Sequence, residues 1–413
     1  MIKAQRGTKD IFGEEIPTWQ WIYDSAKNVF QNACFQEIKT PIFEATELFA
    51  RGVGDSTDIV NKEMYTFSVG GVSKDETSIT LRPENTAGVV RSYIEHNLNR
   101  LSPPQKFWYF GPMFRYERPQ AGRQRQFHQL GVEMFGVSEP SADAEVILTA
   151  VEFLKSVGLG DLEVELNSLG CKNCKNEYKN SIKEILKPYL DKLCDDCKMR
   201  YEKNPLRILD CKNEDCKEIF ELPEVKKVIL ADYICDDCKE HFDKLTQYLD
   251  ELKIKYSINK MLVRGLDYYN RTVFEIKSSA LGSQSAVCGG GRYDGLVEML
   301  GGTSTPAIGF AMGVERLYTL VNKVQPDKID YFIVSQDLKE ALKLARILRE
   351  QGKTVDFDMQ ARKWAKQLEK ASKVAKFAVL LGEDEINQGF YSVKNLETSE
   401  QIKINNLSDL LNY

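Results

Sequence analysis

The feature that most constrains this chain is the stretch from Ser102 to Phe135, which reads as strand, polar loop, strand. The first strand is Phe107-Trp108-Tyr109-Phe110-Gly111-Pro112-Met113-Phe114-Arg115-Tyr116-Glu117. The loop runs Arg118 to Gln126, and the return strand runs Phe127 to Phe135. Alternating residues on either side of a basic loop predict a hairpin with a long tip. Residues two apart on a strand share a face. Arg115 and Glu117 therefore point one way, and Gln129, Gly131 and Glu133 share a face on the return strand. Gly131 between two polar groups predicts open space for a small molecule. A solvated sheet face with salt bridges accounts for the same charges.

A second constraint is Ala307-Ile308-Gly309-Phe310-Ala311-Met312-Gly313-Val314-Glu315-Arg316-Leu317. Gly309, Ala311 and Gly313 leave one strand face almost bare, so something flat can lie on it. Arg316 falls in the first turn of a following helix, where a cation and backbone N–H groups together favour phosphate. Close helix–strand packing also calls for such glycines.

Around these pieces the pattern is mixed. Residues 1–30 read as mainly helical, with Trp19, Ile22, Ala26 and Phe30 on one stripe. Residues 35–44 read as a strand broken by Pro41, and residues 141–157 as a helix. Lys323 to Lys328, with Pro326, reads as a linker. Beyond it, strands at 331–334, 354–357 and 377–381 alternate with helices at 337–350 and 361–376. This predicts a small α/β domain with a mostly parallel sheet. On its last helix Arg362, Lys366, Lys370 and Lys373 form a basic stripe opposite Trp364, Leu368 and Ala371.

At 413 residues, two or three domains are expected. With 42% hydrophobic and 28% charged residues, the chain can bury a core and is neither disordered nor fibrous. No apolar run reaches the roughly 18–20 residues of a membrane span. The start has no apolar stretch before a cleavage site, which predicts a cytoplasmic chain with no membrane association. A net charge of −5 means that any basic surface is local. There is no G-x-x-x-x-G-K-[ST], and the run Gly289 to Gly295 lacks G-x-G-x-x-G spacing. Three histidines, His96, His128 and His241, cannot supply H-E-x-x-H.

Eight of the ten cysteines lie between 171 and 238, in a lysine-rich stretch that reads as an inserted module. Cys171/Cys174, Cys194/Cys197 and Cys235/Cys238 are C-x-x-C pairs, and Cys211/Cys216 form a fourth pair. Four pairs fit two tetrahedral Cys₄ zinc sites, with their combination open. The alternative is reduced thiols in a module held by its own core. A redox role is disfavoured because no C-x-x-C is expected to open a helix after a strand.

Phe114-Arg115-Tyr116-Glu117, followed by Arg123 and Phe127, resembles motif 2 of class II aminoacyl-tRNA synthetases. Gly309 to Arg316 resembles motif 3, and the segment ending at Pro41 looks like the dimer-forming motif 1. Leu262-Val263-Arg264-Gly265-Leu266-Asp267-Tyr268-Tyr269 and Gly289 to Gly295 resemble the two signature blocks of histidyl-tRNA synthetases. Arg82-Pro83-Glu84-Asn85-Thr86 is similar to a further block, with Asn85 where that pattern has a small residue. Asparagine tolerates turn conformations.

The resemblance implies an α+β fold. A class II antiparallel-sheet catalytic domain would span 1–325, with the Cys-rich helical module inserted at about 171–258. An α/β anticodon-binding domain would span 329–413. It implies a homodimeric histidine–tRNA ligase whose substrates are L-histidine, ATP with Mg²⁺, and tRNA(His). Arg115, Arg264 and Arg316 would be catalytic: the first on the α-phosphate and carboxylate, the second across the α-phosphate, the third near the γ-phosphate. Glu117 would hold the adenine amino group, with Arg123 also at ATP. Glu133 and Tyr269 would take the imidazole, and Glu84, Thr86 and Gln129 the ammonium and carboxylate. Tyr268 and Tyr293 would line that pocket. Gln120, Arg123 and Arg125 would meet the tRNA acceptor end. Two rivals remain at this point. One is a non-catalytic paralogue serving ATP phosphoribosyltransferase, which lacks the catalytic arginines and the last domain. The other is a zinc-dependent nucleic-acid-binding protein.

Overall fold

A computed structural model describes residues 1–54, 57, 59–69, 77–119, 122–278 and 286–411. The chain forms two compact units, Met1–Val324 and Gln325–Tyr413.

The first unit is built on an eight-stranded sheet. In spatial order its strands are Gln36–Glu37, Gln105–Phe114, Gln126–Phe135, Ala307–Gly313, Ala286–Arg292, Asn270–Ser278, Leu162–Ser168 and Tyr256–Ile258. The central ladders are antiparallel; only the two edge pairings are parallel. Helices Ile16–Asn32, Pro140–Ser156 and Asp236–Glu251 send Ile22, Phe30, Phe153 and Leu245 into one core with Trp108, Leu130 and Val132. The period of two then forces Gln129, Gly131 and Glu133 onto the opposite face. That face carries the cavity. A smaller sheet of Phe43–Ala45, Thr77–Leu81 and Tyr65–Val69 stands beside it.

The segment around Pro41 is two short strands in two different sheets, Gln36–Glu37 and Phe43–Ala45, rather than one interrupted strand. Proline donates no ladder bond, so it sits where the chain changes sheet. The N-terminal helix begins only at Ile16, with Pro17 in its first turn.

The Cys-rich stretch is helical and has its own core, including Tyr178, Ile182, Leu186, Leu206, Ile208, Phe220 and Val225. It fills the crossover between the parallel neighbours Leu162–Ser168 and Tyr256–Ile258. Parallel strands need a long connection, and the module is that connection. One expectation fails here. Cys171 caps the helix Lys172–Leu186, soon after the strand Leu162–Ser168, so a C-x-x-C does open a helix after a strand.

In the second unit the sheet order is Val355–Phe357, Ile329–Val334, Ala375–Leu380, Tyr391–Asn395, Gln401–Ile404. The first three strands are parallel and the last two antiparallel, so the sheet is mixed, not mostly parallel. The basic stripe is not free charge. Arg362 pairs with Asp358, Lys370 with Asp356, and Lys366 and Lys373 with Glu369. Among the described residues no helix is long and apolar enough to cross a membrane.

Candidate active site

A cavity of about 430 Å³ opens over the bare face of the first unit's sheet. The most buried carboxyl lining it is Glu133, only 1% exposed. Three hydroxyls converge on this carboxyl. Thr86 Oγ1 donates to Oε1 at 2.7 Å and Tyr109 OH to the same oxygen at 3.2 Å, while Tyr293 OH bonds Oε2. Burial pushes Glu133 up from 4.5 to about 8, although the three hydroxyls pull it down. Near neutrality this carboxyl therefore favours its protonated form.

Glu84 is also raised by burial. Its oxygens accept the backbone N–H of Thr86 at 2.7 Å and of Ala87 at 3.0 Å. These are orphan donors at the start of the helix Thr86–Glu95, so Glu84 closes that helix end while facing the cavity. Asn85 has ordinary helical-region angles and needs no special turn. Its Oδ1 accepts from Thr40 Oγ1 at 2.6 Å and Arg82 Nη1 at 3.2 Å.

Above the floor, Tyr268 and Tyr269 stand with ring centroids 4.7 Å apart, and Tyr268 meets Tyr293 at 5.5 Å. Burial raises Tyr269 to about 12, against the pull of Arg264. Gln129 also lines the space, and its Oε1 is buried without a hydrogen-bond partner. A buried acceptor left unmatched is costly unless a ligand supplies the donor.

Three arginines from distant segments border the same cavity. Arg115 is held by its Nε, which donates to Pro83 O at 2.9 Å, and by the Phe127 ring at 5.2 Å. Arg264 pairs with Glu275 and lies over Gly289, where a Cβ would be 2.2 Å from Nη2. Arg316, in the first turn of the helix Val314–Leu320, donates from Nη1 to Ala286 O at 2.6 Å. Burial and the neighbouring Arg123 both lower its pKa.

Glu117 and Arg123 also line the space, with Arg123 Nη1 3.6 Å from Glu117 Oε2. The first hairpin strand ends at Phe114, so Arg115 and Glu117 reach the cavity from the loop, not from a shared strand face. Arg125 is not brought to the cavity: it packs over the Tyr116 ring at 4.0 Å. Gln120 lies outside the described residues. Gly131 does not leave open space; a Cβ there would meet Tyr109 OH at 2.5 Å.

Sequence reasoning missed Tyr109, although it is paired in register with Gly131. It also missed Glu275 and Arg207, the latter reaching the cavity from the inserted module. Arg292, fully buried, donates to Asp143 at 2.7 Å and to Asp294 at 3.2 Å, fixing the strand end beside Tyr293. His128 N–H donates to Glu315 at 2.9 Å, tying the hairpin to the helix that carries Arg316.

The cysteines lie in the module, away from this cavity, in two groups: Cys171, Cys174, Cys235 and Cys238, and Cys194, Cys197, Cys211 and Cys216. Within each, all four Sγ atoms lie within 4.8 Å of one another. Tetrahedral zinc with its usual bond lengths places sulfurs about 3.8 Å apart. Either group could hold a metal ion.

Comparison with known proteins accords with this geometry. The histidyl-tRNA synthetase family matches residues 7–317, and the anticodon binding domain family matches residues 327–412. The histidine–tRNA ligase of Halothermothrix orenii is 48% identical over 412 residues, 98% of this chain and 96% of that protein. That of Clostridioides difficile is 47% identical over 415 residues, 98% of this chain and 97% of that protein. The crystal structure of apo histidyl-tRNA synthetase from S. aureus superposes with a TM-score of 0.81 at 36% identity, covering 100% of this chain and 99% of that one. Its fold is therefore a class II catalytic sheet carrying a Cys-rich module, followed by a C-terminal anticodon domain, and the chain belongs to the histidyl-tRNA synthetase family.

Proposed function

We propose that this chain is a histidine–tRNA ligase acting in two steps. L-Histidine and MgATP give histidyl-adenylate and diphosphate. The histidyl group then passes to the 3′ end of tRNA(His), releasing AMP. The observation that carries the reading is one cavity joining a buried carboxyl, Glu133, to three arginines from separate segments. The carboxyl suits an imidazole N–H, and the arginines suit a phosphoryl group gathering charge.

In this reading Glu133 and Tyr269 take the imidazole, with Tyr268 and Tyr293 closing the pocket. The unmatched Gln129 Oε1, with Glu84 and Thr86, faces the ammonium and carboxylate. Arg115 and Arg264 flank the α-phosphate as the pentacovalent centre forms, and Arg316 holds the γ-phosphate. Glu117 takes the adenine amino group, and Arg123 serves ATP and the tRNA acceptor end. Gln120 and Arg125 would meet the tRNA only with the acceptor stem in place.

The protein would work as a homodimer in the cytoplasm. The dimer reading is supported by apolar side chains next to Pro41: Ile42 is 43% exposed and Phe43 59%. Each thiolate group would hold one structural zinc ion. Histidine-dependent ATP–diphosphate exchange is the decisive test. A protein that binds tRNA but shows no such exchange would be a paralogue or a binding protein, not a ligase.

A further inference from the structure

The group Cys171, Cys174, Cys235 and Cys238 draws together the first residues of two helices, Lys172–Leu186 and Asp236–Glu251. The two C-x-x-C pairs are also cross-bonded. Cys171 N–H donates to Cys238 Sγ at 3.1 Å, and Cys235 N–H donates to Cys174 Sγ at 3.2 Å. Backbone donors aimed at sulfur favour thiolates, the form that binds metal. Gly170, at φ +67°, lets the chain turn into this knot; a Cβ there would lie 2.4 Å from Cys174 Cβ. The site chemistry is that of a borderline-soft divalent cation such as zinc.

One residue past Cys174, Lys175 reaches out of the knot. Its Nζ donates to the backbone oxygens of Asp267 at 2.8 Å and Tyr269 at 2.7 Å. Those two carbonyls bracket Tyr268. On the other side of the knot, Leu169 N–H donates to Arg271 O and Arg271 N–H to Gly170 O, both at 2.8 Å. The loop bearing both cavity tyrosines is thus held from two directions by residues within four positions of a thiolate ligand. An ammonium on a flexible stem fixes two carbonyls only if its own backbone is fixed. The knot supplies that fixed point.

We infer that this thiolate group, with metal bound, anchors the Asp267–Tyr269 loop in the form that receives histidine, and that Lys175 is the positioning residue through which it acts. The anchor rests on the zinc reading of the proposed function; the Lys175 contacts stand without it.

The test uses full-length protein, zinc content by atomic emission, and histidine-dependent ATP–diphosphate exchange. Lys175→Met should keep two zinc ions per chain and raise the KM for histidine by about tenfold or more. The KM for ATP and kcat should stay within about twofold of the parent. Lys175→Arg, which keeps a cationic donor, should recover part of the histidine KM. Cys174→Ser should carry one zinc fewer and show the same histidine shift. An unchanged histidine KM in Lys175→Met overturns the positioning role. So does a joint loss in both KM values and kcat, and so does no recovery in Lys175→Arg. A parent protein without zinc, or Cys174→Ser with its full complement, overturns the metal anchor and leaves the Lys175 result to be read alone.

Discussion

Replacing Glu133 by glutamine tests the electrostatics of the cavity floor directly. The two side chains have the same shape, but glutamine cannot ionise. In the folded protein burial raises Glu133 from 4.5 to about 8. The unfolded chain loses this proton near 4.5, while the native state keeps it until about 8. Between those values the native state binds more protons, so stability falls as pH rises. The contribution is complete below about 4.5 and is lost as pH climbs through about 8. The gap of about 3.5 pH units, at 1.36 kcal/mol each, is worth roughly 5 kcal/mol in full. Glu133→Gln should therefore gain on the parent by roughly 4 kcal/mol between pH 5 and pH 8 in histidine-free protein. The assay is urea unfolding of both proteins across that range, followed by tryptophan fluorescence. Trp19, Trp21 and Trp108 report on the first unit. The same variant should bind histidine poorly while ATP affinity holds, because glutamine cannot ionise to meet the imidazole N–H. Parallel stability curves from pH 5 to pH 8 would show that Glu133 is not held neutral, and the account of the cavity floor would fall.

Arg264→His should slow adenylate formation by orders of magnitude, since one well-placed charge donor is worth about 3–4 kcal/mol, and should spare transfer from preformed adenylate. Single-turnover kinetics that find both steps slowed alike would remove Arg264 from the phosphoryl centre. Gly289→Ala should slow the same first step with Arg264 still present, because the new Cβ would lie 2.2 Å from Nη2. Adenylate formation at the parent rate would mean that Arg264 need not lie across the strand. Asp143→Ala removes the closest charge partner of a fully buried guanidinium, leaving Asp294 and the backbone oxygens of Val137 and Glu139, and thermal melting should show a loss of about 3–5 kcal/mol. A change under about 1 kcal/mol would mean that Asp294 and the two carbonyls satisfy Arg292 without Asp143.

Much of the fold was legible because it depends on short-range signals. Periodicity marked the helices Ile16–Asn32 and Pro140–Ser156, and alternation marked the hairpin and the strand Ala307–Gly313. The segments bearing Arg115, Arg264 and Arg316 were legible as ordered motifs. What escaped depends on which strands become neighbours. Tyr109 has no unusual local sequence; it matters because the register sets it opposite Gly131. Glu275 reads as an ordinary strand residue, and only the fold brings Arg264 to it across eleven residues. Thiolate pairing was hidden for the same reason. Cys171 and Cys174 meet Cys235 and Cys238 because the strands flanking the module are parallel neighbours, so its two ends return to one place. The stripe at Arg362–Lys373 was legible only in part. Its periodicity was visible, but two of its carboxylate partners, Asp356 and Asp358, come from the preceding strand and turn, while Glu369 lies in the helix itself.

The glycines give a more general lesson about such sites. A run of small residues along a strand looks like a vacancy reserved for ligand. Here three of those vacancies are filled by protein. Tyr109 lies across Gly131, Arg264 across Gly289, and Glu133 across Gly309, where a Cβ would sit 2.0 Å from Oε2. Each glycine allows a polar side chain from a neighbouring segment to lie flat on the sheet instead of standing up from it. A flat side chain loses few rotamers when ligand arrives, because packing has already fixed it. The cost falls on the backbone, through the greater freedom that glycine has in the unfolded chain. Bare strand faces in this protein therefore build a rigid polar floor, and the ligand space is what remains above it. It follows that alanine at Gly309 should harm the site by displacing Glu133, with no ligand present, and loss of the hydroxyl contacts to that carboxyl should be visible before any substrate is added.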